Sequence, residues 1–434
     1  AIALIRVAKL TPKPTDGISY LDQVISRFPD RAAEALVAKA NLLDQLQSTQ
    51  SAAQTRQVVL TKHSTSDAAA DLRWQQAQKR ATAKDYLGAW KAAQPIITNN
   101  LKSEIAPEAV FWVGKWAKQL GRSQDAKTAF EHVLAEYPES YYAWRSAVFL
   151  GLNVGDFTTV RQFSPQVVRA AERPPLPVGS AVLKELYALG QDQDAWTLWQ
   201  VEFQNPQTPT VQEQFTDGIL RIGVGDHLDG LFMLSSLDQR TMTDEKAQYE
   251  SLKQQSAYWH GLYPFPFLDP ITTWSQQRQL NPLLVIALIR QESRFEPKIQ
   301  SVVGATGLMQ VMPDTASWIA SQIQLKEYKL ESPDDNIKLG TWYLDYTHQE
   351  YNNNSLFAVA SYNAGPGNVA DWIARKGFRD PDEFVEAIPF GETKGYVKSV
   401  FANYWNYLRL YNPETSQLMT KYTTDRLTAL SKFN

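Results

Sequence analysis

From the first residue to about 250, apolar positions recur every three or four residues in segments rich in Ala, Leu, Gln, Glu and Lys. That period belongs to amphipathic helices, and no sustained period-2 alternation marks a strand. The pattern predicts helix after helix and an all-α fold. Two stretches interrupt it: Arg173-Pro174-Pro175-Leu176-Pro177, and Gly261-Leu262-Tyr263-Pro264-Phe265-Pro266-Phe267. After the second break, the chain to about Tyr411 is richer in Gly, Asn and aromatic clusters, as expected for loops around a site.

The helical part echoes itself. Leu120-Gly121 is followed by Ala126 and Phe130, and Leu189-Gly190 by Ala195 and Trp199, 69 residues further on. Gly114, Ala126, Phe130 and Pro138 have the small–small–aromatic–proline spacing of tetratricopeptide-like helix pairs. Val24, Phe28 and Pro29 echo Val133, Tyr137 and Pro138. The logic is packing: small residues let two helices approach, an aromatic fills the gap, and proline stops the second helix. The expected organisation is a helical-repeat region over 1–190, a helical linker over 191–262, a second domain over 263–412 and a polar tail over 413–434.

Composition narrows the function. With 44% hydrophobic and 21% charged residues, the chain is globular rather than disordered. Its 43 basic and 46 acidic residues give a net charge of −3, without the basic field of a nucleic-acid binder. The absence of cysteine removes disulfides, thiolate metal sites and cysteine nucleophiles. His63, His132, His227, His260 and His348 are scattered, so no metal centre is expected. No phosphate-cradling Gly-Lys-Ser/Thr loop is present, and Ser293 lacks the Gly-x-Ser-x-Gly elbow of a serine hydrolase. The longest clean apolar run, Pro282 to Ile289, falls far short of the ~20 residues of a membrane helix. The chain opens at Ala1 without an initiator methionine, which reads as a processed protein or an excised fragment. Thirteen tryptophans suit either sugar platforms or helical cores.

The candidate chemistry lies after Gln279. Asn281 is placed to cap a helix whose first residue is Pro282. Val285, Leu288, Ile289 and Glu292 then fall on one face. A carboxyl held against apolar side chains loses solvation of its charged form, and its raised pKa suits a general acid. The residues alone leave a second reading open, a glutamate at the stripe's end paired with Arg290 or Arg294. Glu296, Asp314, Asp334, Asp335, Asp345 and Asp371 offer themselves as a second carboxylate, but nothing marks any of them out. Asp314 and Asp335 sit where helices begin, and Ser332 with Asp335 has capping-box spacing.

Four blocks follow in order over about 105 residues: Glu292-Ser293, Gly307-Leu308-Met309-Gln310, Tyr362-Asn363-Ala364-Gly365, and Ile388-Pro389-Phe390-Gly391-Glu392-Thr393-Lys394-Gly395-Tyr396-Val397. Together they resemble the catalytic domain of soluble lytic murein transglycosylases, over roughly 263–412. Ser361 departs from the alanine common before the tyrosine. The repeats ahead of it resemble the α-superhelical domain of the larger soluble members, though shorter.

The resemblance implies a lysozyme-like domain that cleaves the bond between N-acetylmuramic acid and N-acetylglucosamine in peptidoglycan, without metal or cofactor. It implies Glu292 as a single acid, then base, with the substrate's acetamido oxygen in place of a second carboxylate. By the same resemblance, Tyr362 hydrogen-bonds Glu292, Ser301 lies near the N-acetyl group, and Gln310 and Met312 touch the glycan. Glu392 lies on the stem-peptide side, with Tyr396 one turn on facing the same groove, and Asn363 is a further binding candidate. Such a chain belongs in the periplasm or cell envelope. The repeats are a candidate surface for proteins of wall synthesis or division. A water-using muramidase on the same bond and a non-catalytic peptidoglycan scaffold are the rival readings.

Overall fold

The computed structural model describes residues 1–169 and 173–431, with side chains described for all of these except 376 and 423–431. The described residues are all-α, and their strand-like pairing is limited to isolated bridges joining Gln300 to Thr306 and Thr306 to Val311. The chain forms two compact units, Ala1–Leu152 and the remainder from Asn153. The expected boundary at 190 therefore falls inside the second unit.

The first unit runs from the helix Ile2–Leu10 to the helix Tyr141–Phe149, each helix packing on its neighbour in sequence. Gly114 and Phe130 behave as the repeat spacing predicts. A Cβ at Gly114 would come within 2.6 Å of the Phe130 ring, so only glycine lets that ring lie against the helix backbone. Leu120-Gly121 ends the helix Ala106–Gln119: Gly121 takes φ 73° and Arg122 N–H donates to the Ala117 carbonyl. In the second unit, Gly190 takes φ 76° and Gln191 N–H donates to Leu186, so the repeated Leu-Gly is a repeated helix stop. The third echo holds less far. Val24 and Val133 are both buried, but Phe28 is exposed at a helix end whereas the Tyr137 hydroxyl donates to the Leu101 carbonyl.

The helical run breaks earlier than the proline cluster suggested. From Gly151 to Ser180 the described residues form no regular helix, beginning with Gly151 and Gly155 at positive φ. This irregular strap is why 153–169 belongs to the second unit. Its carbonyls at Val154, Val160 and Gln166 accept from Tyr404, Asn281 and Asn412, and Phe157 packs edge-on against Phe401. Arg161 is its anchor. Nearly buried, it donates to Asp345 and Asn353 at 2.6 Å each and to the Arg278 carbonyl at 3.2 Å. The backbone of an irregular segment must find partners somewhere, and here the following helices supply them.

Helices between Ala181 and Leu262 enclose a core that includes Leu183, Trp199, Phe215, Leu234 and Tyr258. The second predicted break is pinned by hydroxyls: Tyr411 donates to the Tyr263 carbonyl and Tyr407 to that of Pro264. The expected polar tail is instead a helix over its described part, Pro413–Ser431, with Thr415 and Met419 buried and Thr415 capped by Asn412. Residues 432–434 lie outside the described residues.

Two substitutions test this packing. Gly114→Val should destabilise the first unit by about 1–3 kcal/mol, because the added atoms force Phe130 off its seat. Arg161→Ala should destabilise the second unit by about 3–5 kcal/mol, because it leaves the Asp345 carboxylate without its partner. Denaturant unfolding of the full chain reads both, and a change below 0.5 kcal/mol in either would overturn the corresponding account.

Candidate active site

The site is built on the helix Pro282–Ser293. Asn281 caps it by accepting from Leu283 N–H at 2.9 Å, and Pro282 fills its first position. Residues Leu283 to Ile289 are fully buried. The helix is therefore embedded on every side rather than along one stripe, and Glu292 is carried to the end of an apolar rod. The chain then turns sharply, with Arg294 and Phe295 both at positive φ and Phe295 buried. Such backbone costs roughly 1–3 kcal/mol per residue and persists only where the surroundings over-determine it.

Three side chains over-determine it. Ser293 Oγ donates to the Leu308 carbonyl at 2.8 Å and accepts from Phe295 N–H. Asn403 Nδ2 donates to the Ala287 carbonyl. Arg290 donates to the Leu262 carbonyl and to Asn403 Oδ1, with its guanidinium over the Tyr263 ring. Arg290 is thus committed to structure, Arg294 is exposed, and Glu292 forms no ion pair with either.

The partner of Glu292 is Tyr396, whose hydroxyl donates to Glu292 Oε1 at 2.5 Å. This corrects the expectation for Tyr362, whose hydroxyl donates to the Met309 carbonyl at 2.9 Å. Tyr362 still borders the acid, because the charge of Glu292 helps to push the Tyr362 phenol well above its usual range. Removal from water raises the Glu292 carboxyl to about 7. The Tyr396 hydrogen bond opposes that rise, and the negative charge of Glu392 adds to it. Tyr396 and Glu392 share the first turns of the helix Gly391–Tyr411, so one helix supplies both.

The loop Ile299–Pro313 is tied to the end of the acid helix by the Ser293–Leu308 hydrogen bond and to Tyr362 through the Met309 carbonyl. Its organiser is Asn336, a buried amide in the helix Pro333–Glu350 that accepts from Met309 N–H and donates to the Thr306 and Leu330 carbonyls. Gly307 is required there, since φ is 82° and a Cβ would come within 2.3 Å of Asn336 and the Leu330 carbonyl. Gln310 also takes positive φ, and its Nε2 braces the loop by donating to the Ile299 and Gly307 carbonyls. Ser301 Oγ accepts from Ala305 N–H, which makes it a turn residue with its hydroxyl proton to spare. Met309 is core, while Met312 is exposed at the start of the next helix. Asn363 accepts from Thr393 Oγ1 at 2.6 Å and ties the helix Ser355–Ala364 to the Tyr396 helix.

The candidate second carboxylates are occupied elsewhere. Asp345 pairs with Arg161, Asp371 with Arg375 and Asp334 with the Trp274 indole. Asp335 accepts from Lys329 N–H, not as the partner of Ser332, whose side chain makes no cap. Glu296 accepts from Lys298 N–H, and Asp314 is exposed in a first helical turn. Sequence reasoning missed Asn336 and Asn403. Asn336, in the first turn of its helix, reads as a capping residue, and Asn403 sits mid-helix without a signal; only the fold shows that both amides bridge elements.

Residues 269–385 match the family model for the transglycosylase SLT domain, and 108–140 match a tetratricopeptide repeat. The soluble lytic murein transglycosylase of Salmonella typhimurium is 41% identical over 163 residues, 36% of this chain and 25% of that protein. The Escherichia coli protein of the same name is 40% identical over the same shares. The chain spans about a quarter of the length of these curated relatives. Among solved structures, the 70 kDa soluble lytic transglycosylase of Escherichia coli superposes with a TM-score of 0.55 at 23% identity, over 95% of this chain and 64% of that one. The lytic transglycosylase of Pseudomonas aeruginosa gives 0.56 at 20%, with the same coverage. The structural likeness shows the fold, helical repeats followed by a lysozyme-like domain. The sequence matches place the chain alongside the soluble lytic murein transglycosylases, as the four blocks do.

The geometry predicts the titration. The Glu292 carboxyl should lose its proton with a midpoint near 7. Tyr396→Phe removes the hydrogen bond that favours the charged form, so the midpoint should move upward. Carbon-detected NMR of labelled glutamate measures both, and an unmoved or lowered midpoint in the variant would show that Tyr396 does not govern this acid.

Proposed function

We propose that residues 263–412 cleave the glycosidic bond between N-acetylmuramic acid and N-acetylglucosamine in peptidoglycan by transglycosylation. The observation that carries this is Glu292: a single carboxyl raised to about 7, held by Tyr396, in a domain similar to transglycosylase SLT domains. At that value a large share of Glu292 is protonated at neutral pH, as a general acid requires.

Glu292 gives its proton to the linking oxygen as the muramic C1–O bond breaks. The substrate's acetamido oxygen bonds to C1 and carries the positive charge that develops there. The Glu292 carboxylate then takes the proton of the muramic C6 hydroxyl, whose oxygen bonds to C1 as the acetamido oxygen leaves. The product is a 1,6-anhydro ring, Glu292 is reprotonated, and no water is consumed. The neighbouring hydroxyl has the advantage of position over water. Support for a single-carboxylate route comes from the other acids, which are engaged elsewhere or exposed.

Tyr396 positions the acid and Tyr362 walls it in. The free Ser301 proton suits the N-acetyl oxygen, and Gln310 and the exposed Met312 suit the glycan. Glu392 is assigned to the stem-peptide side of the groove, and Asn363 to a further contact with substrate. Such a substrate puts the chain on the cell-envelope side. To the repeats of the first unit we assign contacts with proteins of wall synthesis or division, by analogy with other repeat arrays.

Mass spectrometry of products released from purified sacculi tests the reading. The protein should release anhydromuropeptides, lighter by one water than reducing muropeptides, at a rate that declines as pH rises through 7. Glu292→Gln should lower the rate by at least ~100-fold. Reducing products would make the chain a muramidase. Equal release by the two proteins would leave a scaffold.

A further inference from the structure

Trp372 and Trp405 are core, but Trp318, on the helix Pro313–Gln322, is 39% exposed, and Trp342 and Tyr346 on the helix Pro333–Glu350 are half-buried. These rings are not separate. Trp318 meets Trp342 and Tyr346 edge-on, at 5.1 Å between centroids in each case. Trp342 and Tyr346 stack on each other, an i, i+4 pair on one helix face. Tyr346 lies 6.1 Å from Tyr343, and Tyr343 meets Tyr362 at 5.3 Å. Tyr362 donates to the Met309 carbonyl in the loop tied to the Glu292 helix through Ser293 and Leu308. An unbroken row of rings therefore leads from solvent at Trp318 to Tyr362.

Two features make this row more than packing. Trp318 is the most exposed tryptophan of the chain, and its ring is not an isolated surface side chain but the end of a connected row. The row also starts on the helix that Met312 opens and ends at Tyr362, which is bonded to the Met309 carbonyl of the loop between them. A flat ring with a polar edge suits the apolar face of a pyranose while leaving its hydroxyls in water.

We infer that Trp318, supported by Trp342 and Tyr346, is an outer subsite that stacks a sugar of the glycan strand several residues from the cleaved bond. The occupant is a stretch of β-linked N-acetylated sugars, and the subsite serves long strands while leaving short ones unaffected. This rests on the transglycosylase reading for its occupant.

Isothermal titration of the Glu292→Gln protein, with and without Trp318→Ala, tests it. The probes are peptide-free glycan strands and an isolated disaccharide-peptide. Trp318→Ala should weaken strand binding about five- to tenfold, leave the disaccharide-peptide unchanged and leave the melting temperature within a few degrees. Trp318→Tyr should restore most of the strand affinity. Equal strand affinity with and without Trp318 overturns the subsite. So does a parallel loss on both probes with lowered melting temperature, which means that the ring only packs. Failure of the parent Glu292→Gln protein to bind strands overturns it as well. The transglycosylase reading fails separately, if the unsubstituted chain releases no anhydro products from sacculi while its strand affinity still depends on Trp318.

Discussion

One carboxyl is kept from water, and the second unit is arranged around that fact. A glutamate at the end of an ordinary surface helix would be charged and chemically idle at neutral pH. Glu292 differs because the seven residues from Leu283 to Ile289 are buried on every side, so the helix that carries it cannot be moved toward solvent. Desolvation then raises the carboxyl, and the short hydrogen bond from Tyr396 keeps it from rising out of the useful range. The two effects oppose each other, and burial is the larger.

Placing that carboxyl takes contributions from distant parts of the chain. Arg161 and the carbonyls of the irregular strap hold the start of the acid helix and the helices beneath it. Arg290, Ser293 and Asn403 hold its end. Asn336 fixes the loop tied to that end by using all of its amide. Arg161, Ser293, Asn336 and Asn403 are buried polar groups whose cost is met only when every partner is present, and Arg290 is half-buried beside them. The division of the chain at residue 152 rather than 190 follows from the same constraint, because the strap's backbone finds its partners in the site-bearing helices.

Much of this was legible in the chain. Helical period, the Asn281-Pro282 start, the Leu-Gly stops and the Gly114–Phe130 contact are local or near-local, and they hold because capping, left-handed glycine and close approach depend on residue type at fixed spacing. The apolar face leading to Glu292 was legible for the same reason. The Ser332–Asp335 pair shows the limit: its spacing suits a capping box, but the Lys329 backbone claims the carboxylate instead.

The sequence by itself thus determined most of the helical pattern, several of its stops, and that a carboxyl would lie at the end of an apolar helix face. Tertiary structure alone decided that Tyr396, and not Tyr362, holds Glu292, that the strap joins the second unit, and that five aromatic rings form one row. Local order follows from steric and hydrogen-bond rules acting over a few residues. The choice between two tyrosines, 104 and 70 positions from the acid, depends on how helices cross. That crossing is set by the whole core and by no spacing within the chain.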